Sequence, residues 1–165
     1  MRNLVILSLG SNVEPRLNFL NTAISGIKKV LNVVRISSIY ESDPWGYIYQ
    51  GKFLNLALVC FTNMLPFEVL REVKEIEKKV GRTERFKWGP REIDIDIVYY
   101  GRLVLKTSEL IIPHPYRLDR GFVMLPIFEI APNVLDPEYD IPVSIVVSKF
   151  MSVSQISTLL RSKFL

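Results

Sequence analysis

The chain has 165 residues, 48% of them hydrophobic and 23% charged, with Lys+Arg 21 against Asp+Glu 17. That length and balance suit one soluble globular domain spanning 1–165, with a core of its own, and exclude a disordered chain. A single cysteine, Cys60, and a single histidine, His114, exclude an internal disulfide and a multi-cysteine zinc site, and a net charge of +4 falls short of the basic excess of a nucleic-acid-binding domain.

Residues 3–9 form a short apolar run ended by Gly10-Ser11-Asn12, which predicts a buried strand and then a turn. The run is too short for a secretory h-region. The longest uncharged apolar stretch, Phe53 to Phe67, is shorter than a spanning helix and holds Asn55, Asn63 and Pro66. The cytoplasm is therefore the expected compartment, with neither membrane nor nucleic acid among the expected partners.

Asn12 or Ser11 is expected to cap the next helix, with Pro15 in its first turn. Leu17, Leu20, Ala23, Ile24, Ile27, Val30 and Leu31 then recur at three- and four-residue steps, as one buried face of a helix requires. Residues 33–43 are rich in Val, Ile and Tyr and predict a second strand. A loop over 44–51 leads to a third strand at 53–62. Pro66 opens a second helix that stops at Gly81. Residues 93–99 alternate strictly and predict a fourth strand.

Strand–helix–strand–strand–helix–strand is the ferredoxin-like βαββαβ plan of an α+β sandwich. Residues 101–112 are expected to add a hairpin to the sheet. Short helices follow near 115–120, 122–130 and 142–149, and the tail 152–164 is expected to form a last helix.

The most unusual feature is a cationic loop running into an acidic strand. Residues 82–91 hold four cations and one anion. Directly after them comes Ile93-Asp94-Ile95-Asp96-Ile97. Alternation turns the isoleucines one way and Asp94 and Asp96 the other, roughly 7 Å apart at Cα. Asp is disfavoured in strands, and two side by side repel each other unless a positive charge compensates. Mg²⁺ suits such a pair, because it takes oxygen ligands and is held by one or two carboxylates plus substrate phosphates. A merely acidic outer face is the plainer reading of any Asp-x-Asp.

Arg82, Arg85, Lys87 and Arg91 lie just upstream, and guanidinium groups grip phosphate through two donors at once. For Arg85 and Lys87 a solvated loop serves equally well. Arg91 is aimed by Trp88-Gly89-Pro90, and Arg82 is fixed by the helix end. Carboxylates for a metal beside arginines point to a polyphosphate substrate. The chain carries no glycine-rich phosphate cradle of the P-loop or dinucleotide kind.

At about 100° per residue, Glu77 falls within the apolar stripe of the second helix, between Leu70 and Val80. A carboxylate there needs a partner. Either it makes a structural salt bridge with Arg82 or Arg91, or it touches a ligand. Trp45, Phe53, Trp88 and Phe122 stand at loop edges, where flat rings either pack or sandwich a heterocycle. Asn55 shares a strand face with Phe53 and offers donors and an acceptor to a ring edge. His114 is held between Pro113 and Pro115, with Arg120 nearby in sequence.

With these residues assembled, the chain resembles the 6-hydroxymethyl-7,8-dihydropterin pyrophosphokinase family. The resemblance runs through Gly10-Ser11-Asn12, Tyr40-Glu41-Ser42-Asp43-Pro44-Trp45-Gly46, Phe53-Leu54-Asn55, Glu77 and Gly81-Arg82. It continues through Trp88-Gly89-Pro90-Arg91, Asp94-Ile95-Asp96-Ile97, Pro113-His114-Pro115, Arg120-Gly121-Phe122 and Glu129-Ile130-Ala131-Pro132. It implies a monomer that uses ATP, with two Mg²⁺ ions, to pyrophosphorylate the pterin in folate biosynthesis. Asp94 and Asp96 would hold both metals, and Arg82 and Arg91 would engage the polyphosphate on mobile loops. Glu77, Ile97, His114 and Arg120, with Arg91, would contact ATP. Phe53 and Phe122 would stack the pterin, Asn55 would read its edge, and Ser42, Pro44, Trp45 and Trp88 would complete its pocket. The chain departs from the resemblance at Phe53, where relatives often carry Tyr, and at Glu84 and Glu109, where they tend to be basic.

The rival readings are another Mg-dependent phosphoryl or nucleotidyl transferase and a non-catalytic ferredoxin-like RNA-binding module. The latter would need an aromatic signature on the central strands that is absent from this sequence.

Overall fold

The computed structural model describes residues 2–150 and 160–162. Strand β1 (Asn3–Ser11) runs through the centre, followed by helix α1 (Arg16–Val30), β2 (Asn32–Ile36), β3 (Ile39–Ser42), β4 (Phe53–Thr62), α2 (Pro66–Val80) and β5 (Asp94–Tyr100). After them come β6 (Leu105–Lys106), β7 (Ile111–Ile112), a 3₁₀ turn Arg117–Asp119, α3 (Gly121–Ile130), β8 (Leu135–Asp136), β9 (Ile141–Pro142), α4 (Val143–Phe150) and β10 (Leu160–Ser162). The main sheet has the order β10-β3-β4-β1-β5, with β2 also paired to β4, and every pairing is antiparallel.

The pleat of β1 explains the layering. Val5, Leu7 and Leu9 face one way and join Leu20, Ile27, Val69 and Val73 of α1 and α2 in one core. Ile6 faces the other way and joins Val123, Met124, Ile127 and Val146 of α3 and α4 in a second core. A strand covered on both faces reads as an unbroken apolar run. On β5, Ile95 and Ile97 enter the first core, so Asp94 and Asp96 project toward the other face, beyond the end of the second core.

Several expectations need correcting. The strand foreseen at 33–43 is two strands. Ser37 and Ser38 interrupt it, because Ser37 Oγ takes the Ala57 amide at 2.9 Å and Ser38 bonds Glu129. Asn12 does not cap α1; its side chain reaches across to Gln50, Gly51 and Arg91. Pro15 stands at the N-cap position, with no side-chain cap bond. Leu17 is exposed rather than part of the buried face.

The hairpin of β6 and β7 forms a separate two-stranded sheet instead of widening the main one. Of the tail foreseen as a helix, 160–162 is a strand paired with β3, and 152–159 and 163–164 lie outside the described residues. By contrast, α2 begins at Pro66 and ends on Gly81 at φ 109°, a left-handed conformation that suits glycine.

Candidate active site

β5 is the last strand of the sheet, and its outer edge is closed by side chains and loop. Glu77, only 3% exposed, reaches round from α2 and accepts the Ile95 amide at 2.6 Å. The His114 amide donates to the Val98 carbonyl at 3.0 Å. Glu77 also receives Lys74 Nζ at 3.1 Å and Arg82 Nη1 at 2.8 Å. The salt bridge with Arg82 that the sequence allowed for Glu77 is present. Burial pushes its carboxyl up from the ordinary value, against the pull of Lys74 and Arg82.

Arg82 Nη1 pairs with Asp94 Oδ1 at 2.6 Å, and Arg91 Nη1 pairs with Asp94 Oδ2. Burial works against the charged form of Asp94, but Arg91 and Arg82 outweigh it and hold the carboxyl below its usual range. Asp96 has no guanidinium partner. Its nearest basic group is His114, whose Nε2 lies 3.6 Å from Oδ2. Burial, and then the charge of Asp94, push the Asp96 carboxyl up. Burial and Arg120 push the His114 imidazole down to about 4, so the ring is neutral near pH 7.

The two loops flanking this strand end are tied together. Trp45 and Trp88 meet edge to face at 5.4 Å, and Tyr47 meets Phe86 at 5.0 Å. Trp88 has φ 63°, and a Cβ on Gly46 would stand 2.9 Å from its ring. Glycine is what lets the indole lie there. Gln50 donates to the carbonyls of Trp88 at 2.8 Å and Tyr47 at 2.6 Å, and accepts from Asn12 at 2.9 Å. Asn12 also exchanges two bonds with the backbone of Arg91. Arg85 is not free, since it clamps Glu92 at 2.6 and 3.0 Å and fixes the loop's shape. The Arg85 bonds hold the Glu92 carboxyl down at about 2.

Three cavities surround these groups. Phe53, Phe122, Trp45, Trp88 and Ser42 line an aromatic slot of about 60 Å³, with Arg91, Asp94 and Arg120 at its polar end. Arg120 stacks on Trp45 at 4.4 Å and reaches toward Phe122. Asn55 is buried behind the slot and donates to Ser42 Oγ at 2.9 Å. Pro44 is half-buried where the chain leaves β3 for Trp45. A cationic cavity of about 730 Å³ is lined by Lys74, Lys78, Arg82, Arg85, Lys87 and Arg91. A third cavity of about 280 Å³ lies between α2 and the β6–β7 hairpin, lined by Leu70, Lys74, Asp96, Ile97, Leu110 and His114. The structure thus gathers the foreseen residues round one strand end.

The sequence reading gave no role to Arg117 or Glu129. Arg117 is almost fully buried and bonds Asp136 at 2.8 and 3.0 Å and the His114 carbonyl at 3.3 Å, so it anchors the turn that carries the histidine. Glu129 bonds Ser38 and Tyr40 and braces the start of β3. Nothing local marks either network, because the partners lie far apart in the chain. No group of three or more metal-ligating side chains occurs among the described residues.

Residues 6–132 match the family described as 7,8-dihydro-6-hydroxymethylpterin-pyrophosphokinase. Over 138 residues the chain is 49% identical to the 2-amino-4-hydroxy-6-hydroxymethyldihydropteridine pyrophosphokinase of Aquifex aeolicus, covering 84% of this chain and 86% of that protein. It is 40% identical over 136 residues to the protein of the same name from Bacillus subtilis, covering 81% of each. Among solved structures, wild-type Plasmodium falciparum HPPK-DHPS with pterin and p-hydroxybenzoate superposes with a TM-score of 0.78 over 98% of this chain. The two are 17% identical, so the likeness concerns the fold alone, and the chain spans 45% of that longer protein.

Proposed function

The chain belongs to the 7,8-dihydro-6-hydroxymethylpterin-pyrophosphokinase family, and from that membership we propose how its residues carry out the reaction. The enzyme transfers pyrophosphate from ATP to the hydroxymethyl group of 6-hydroxymethyl-7,8-dihydropterin, giving AMP and the pterin diphosphate in folate biosynthesis. One observation carries the assignment of roles: Asp94 and Asp96 share a strand face, Asp94 lining the aromatic slot and paired to Arg82 and Arg91 of the cationic cavity, Asp96 lining the third cavity.

The pterin enters the slot between Phe53 and Phe122, with the Asn55 amide and Ser42 at its edge and Trp45 and Trp88 over its mouth. Pro44 holds Trp45 at that mouth. The β- and γ-phosphates occupy the cationic cavity against Arg82 and Arg91. The nucleoside fills the third cavity, against Ile97 and His114, while Glu77 positions Arg82 and Lys74 from below. Arg120 stands between the pterin and the phosphates.

The donor set fits Mg²⁺. Two carboxylates on one face supply hard oxygen ligands, and Asp96, pushed up by burial and by Asp94 against the pull of Lys74 and Arg120, has no ion-paired guanidinium of the kind that Asp94 has. With only two such groups, polyphosphate and water oxygens complete the coordination. Two bound ions would neutralise the phosphate oxygens and align the attacking hydroxyl with the leaving group. The chain's own part is positioning and charge. The slot presents the hydroxymethyl oxygen to the β-phosphorus, the arginines neutralise the transferred group, and the Trp45–Trp88 lid excludes water.

The element order and the β3-β4-β1-β5 arrangement support the ferredoxin-like description of the fold. We take the chain to act as a monomer of one domain. No helix among the described residues is long and apolar enough to cross a membrane, which suits work in the cytoplasm. Product analysis tests the reading: with ATP, the pterin and Mg²⁺, turnover should yield AMP. ADP would indicate a simple kinase, and pyrophosphate a nucleotidyl transferase. Chelation should abolish turnover, and added Mg²⁺ should restore it.

A further inference from the structure

The three cavities are joined by single side chains. Arg91 lines both the aromatic slot and the cationic cavity. Lys74 lines both the cationic cavity and the third cavity, and no other lining residue is common to those two. ATP is a linear chain of nucleoside, α-, β- and γ-phosphate. If the nucleoside lies in the third cavity and the β- and γ-phosphates in the cationic one, the α-phosphate falls at their junction. We propose that Lys74 is a further catalytic residue, whose ammonium holds the α-phosphate and neutralises the charge gathering on it as AMP departs. This rests on the reading of the third cavity as the nucleoside site.

The chemistry requires a cation there. The bond from the hydroxymethyl oxygen to the β-phosphorus forms as the bridging oxygen–β-phosphorus bond breaks. Its electron pair stays on AMP, and the hydroxyl proton leaves to solvent. Arg82 and Arg91 line the cavity that receives the transferred group, not the one that holds the leaving group. Lys74 is the sole lysine or arginine lining the third cavity.

The side chain is also free to do this. Its Nζ forks the two Glu77 oxygens at 3.1 Å, yet 47% of it is exposed. Glu77 keeps Arg82 and the Ile95 amide when Lys74 swings away. No buried carboxylate is stranded by the movement.

Calorimetric titration of the full chain with adenosine and with AMP, in metal-free buffer with chelator, tests this for wild type, Lys74→Gln and Lys74→Arg. Lys74→Gln should weaken AMP binding about tenfold, about 1.4 kcal/mol, and leave adenosine unchanged. Lys74→Arg should restore most of the loss. With saturating ATP and Mg²⁺, Lys74→Gln should also lower the single-turnover rate. Equal effects of Lys74→Gln on adenosine and AMP, or no effect on either, would overturn the role of Lys74 while leaving the nucleoside site standing. Failure of wild type to bind adenosine would overturn the nucleoside reading itself, and the proposal with it.

Discussion

Arg82 and Asp94 are joined by an ion pair at 2.6 Å, and the same guanidinium nitrogen lies 2.8 Å from Glu77. One arginine thus ties the end of α2 to the acidic strand, and a second, Arg91, closes on the other oxygen of Asp94. The cationic loop is thereby anchored on the acidic strand.

Arg91 borders the aromatic slot and the cationic cavity, so its charge should matter most when the pyrophosphoryl group is in flight. Arg91→Ala should lower the single-turnover rate by roughly a thousandfold, with a much smaller change in the pterin Kd. Rapid-quench kinetics beside equilibrium titration separates the two. Equal losses in rate and affinity would count against a role in the transition state.

Phe122 and Phe53 both line the slot. Phe122→Ala should raise the pterin Kd tenfold or more, since a lost ring pair removes about 1 kcal/mol beyond the contact area itself. Phe53→Tyr keeps the ring and should bind nearly as wild type. A normal Kd for Phe122→Ala, measured by fluorescence titration, would place the pterin elsewhere.

Gln50 links the two loops through the carbonyls of Trp88 and Tyr47 and the amide of Asn12. Gln50→Ala should weaken pterin binding about threefold to tenfold, as the loss of one or two net hydrogen bonds implies. Affinity for a non-hydrolysable ATP analogue alone should stay within a factor of two or so of wild type. If both affinities fall together, Gln50 supports the fold rather than the meeting of the loops.

Asp136 is fully buried against Arg117 and Tyr99. Burial raises its carboxyl, but the bonds from Arg117 and Tyr99 prevail and hold it below the ordinary range. A group with its folded pKa lowered contributes stability above the unfolded value, near 4, and loses it as pH falls through the folded value. Urea midpoints should therefore drop below about pH 4. Asp136→Asn should cost up to about 3–5 kcal/mol at neutral pH by leaving buried Arg117 only the partly exposed Glu138 as counter-charge, and its stability should vary less with acid. A midpoint unchanged at pH 7 would refute this account of the pair.

Much of this was legible in the chain itself. The alternation of Ile95 and Ile97 with Asp94 and Asp96 placed two carboxylates on one face. The helical period turned Glu77 inward, and Gly81 marked where α2 stops. These signals are local: each depends on the spacing of neighbours along one element, which backbone geometry converts directly into direction.

Other features depend on partners far apart in sequence. Ser37 and Ser38 split a run of good strand formers because Ala57 and Glu129 stand opposite them. Asn12 reads as a helix cap and instead joins two loops, since Gln50 and Arg91 offer it better partners than the first turn of α1. The sequence by itself determined the strand and helix order through β5, apart from the split at Ser37 and Ser38, together with the acidic face and the cationic loop beside it. Only the tertiary structure decided that Arg82 and Arg91 converge on Asp94, that Asp96 is left with a neutral histidine, and that Lys74 joins two cavities. Those arrangements follow from chain segments meeting across the sheet, and side-chain pairing over such distances leaves no periodic trace in the order of residues.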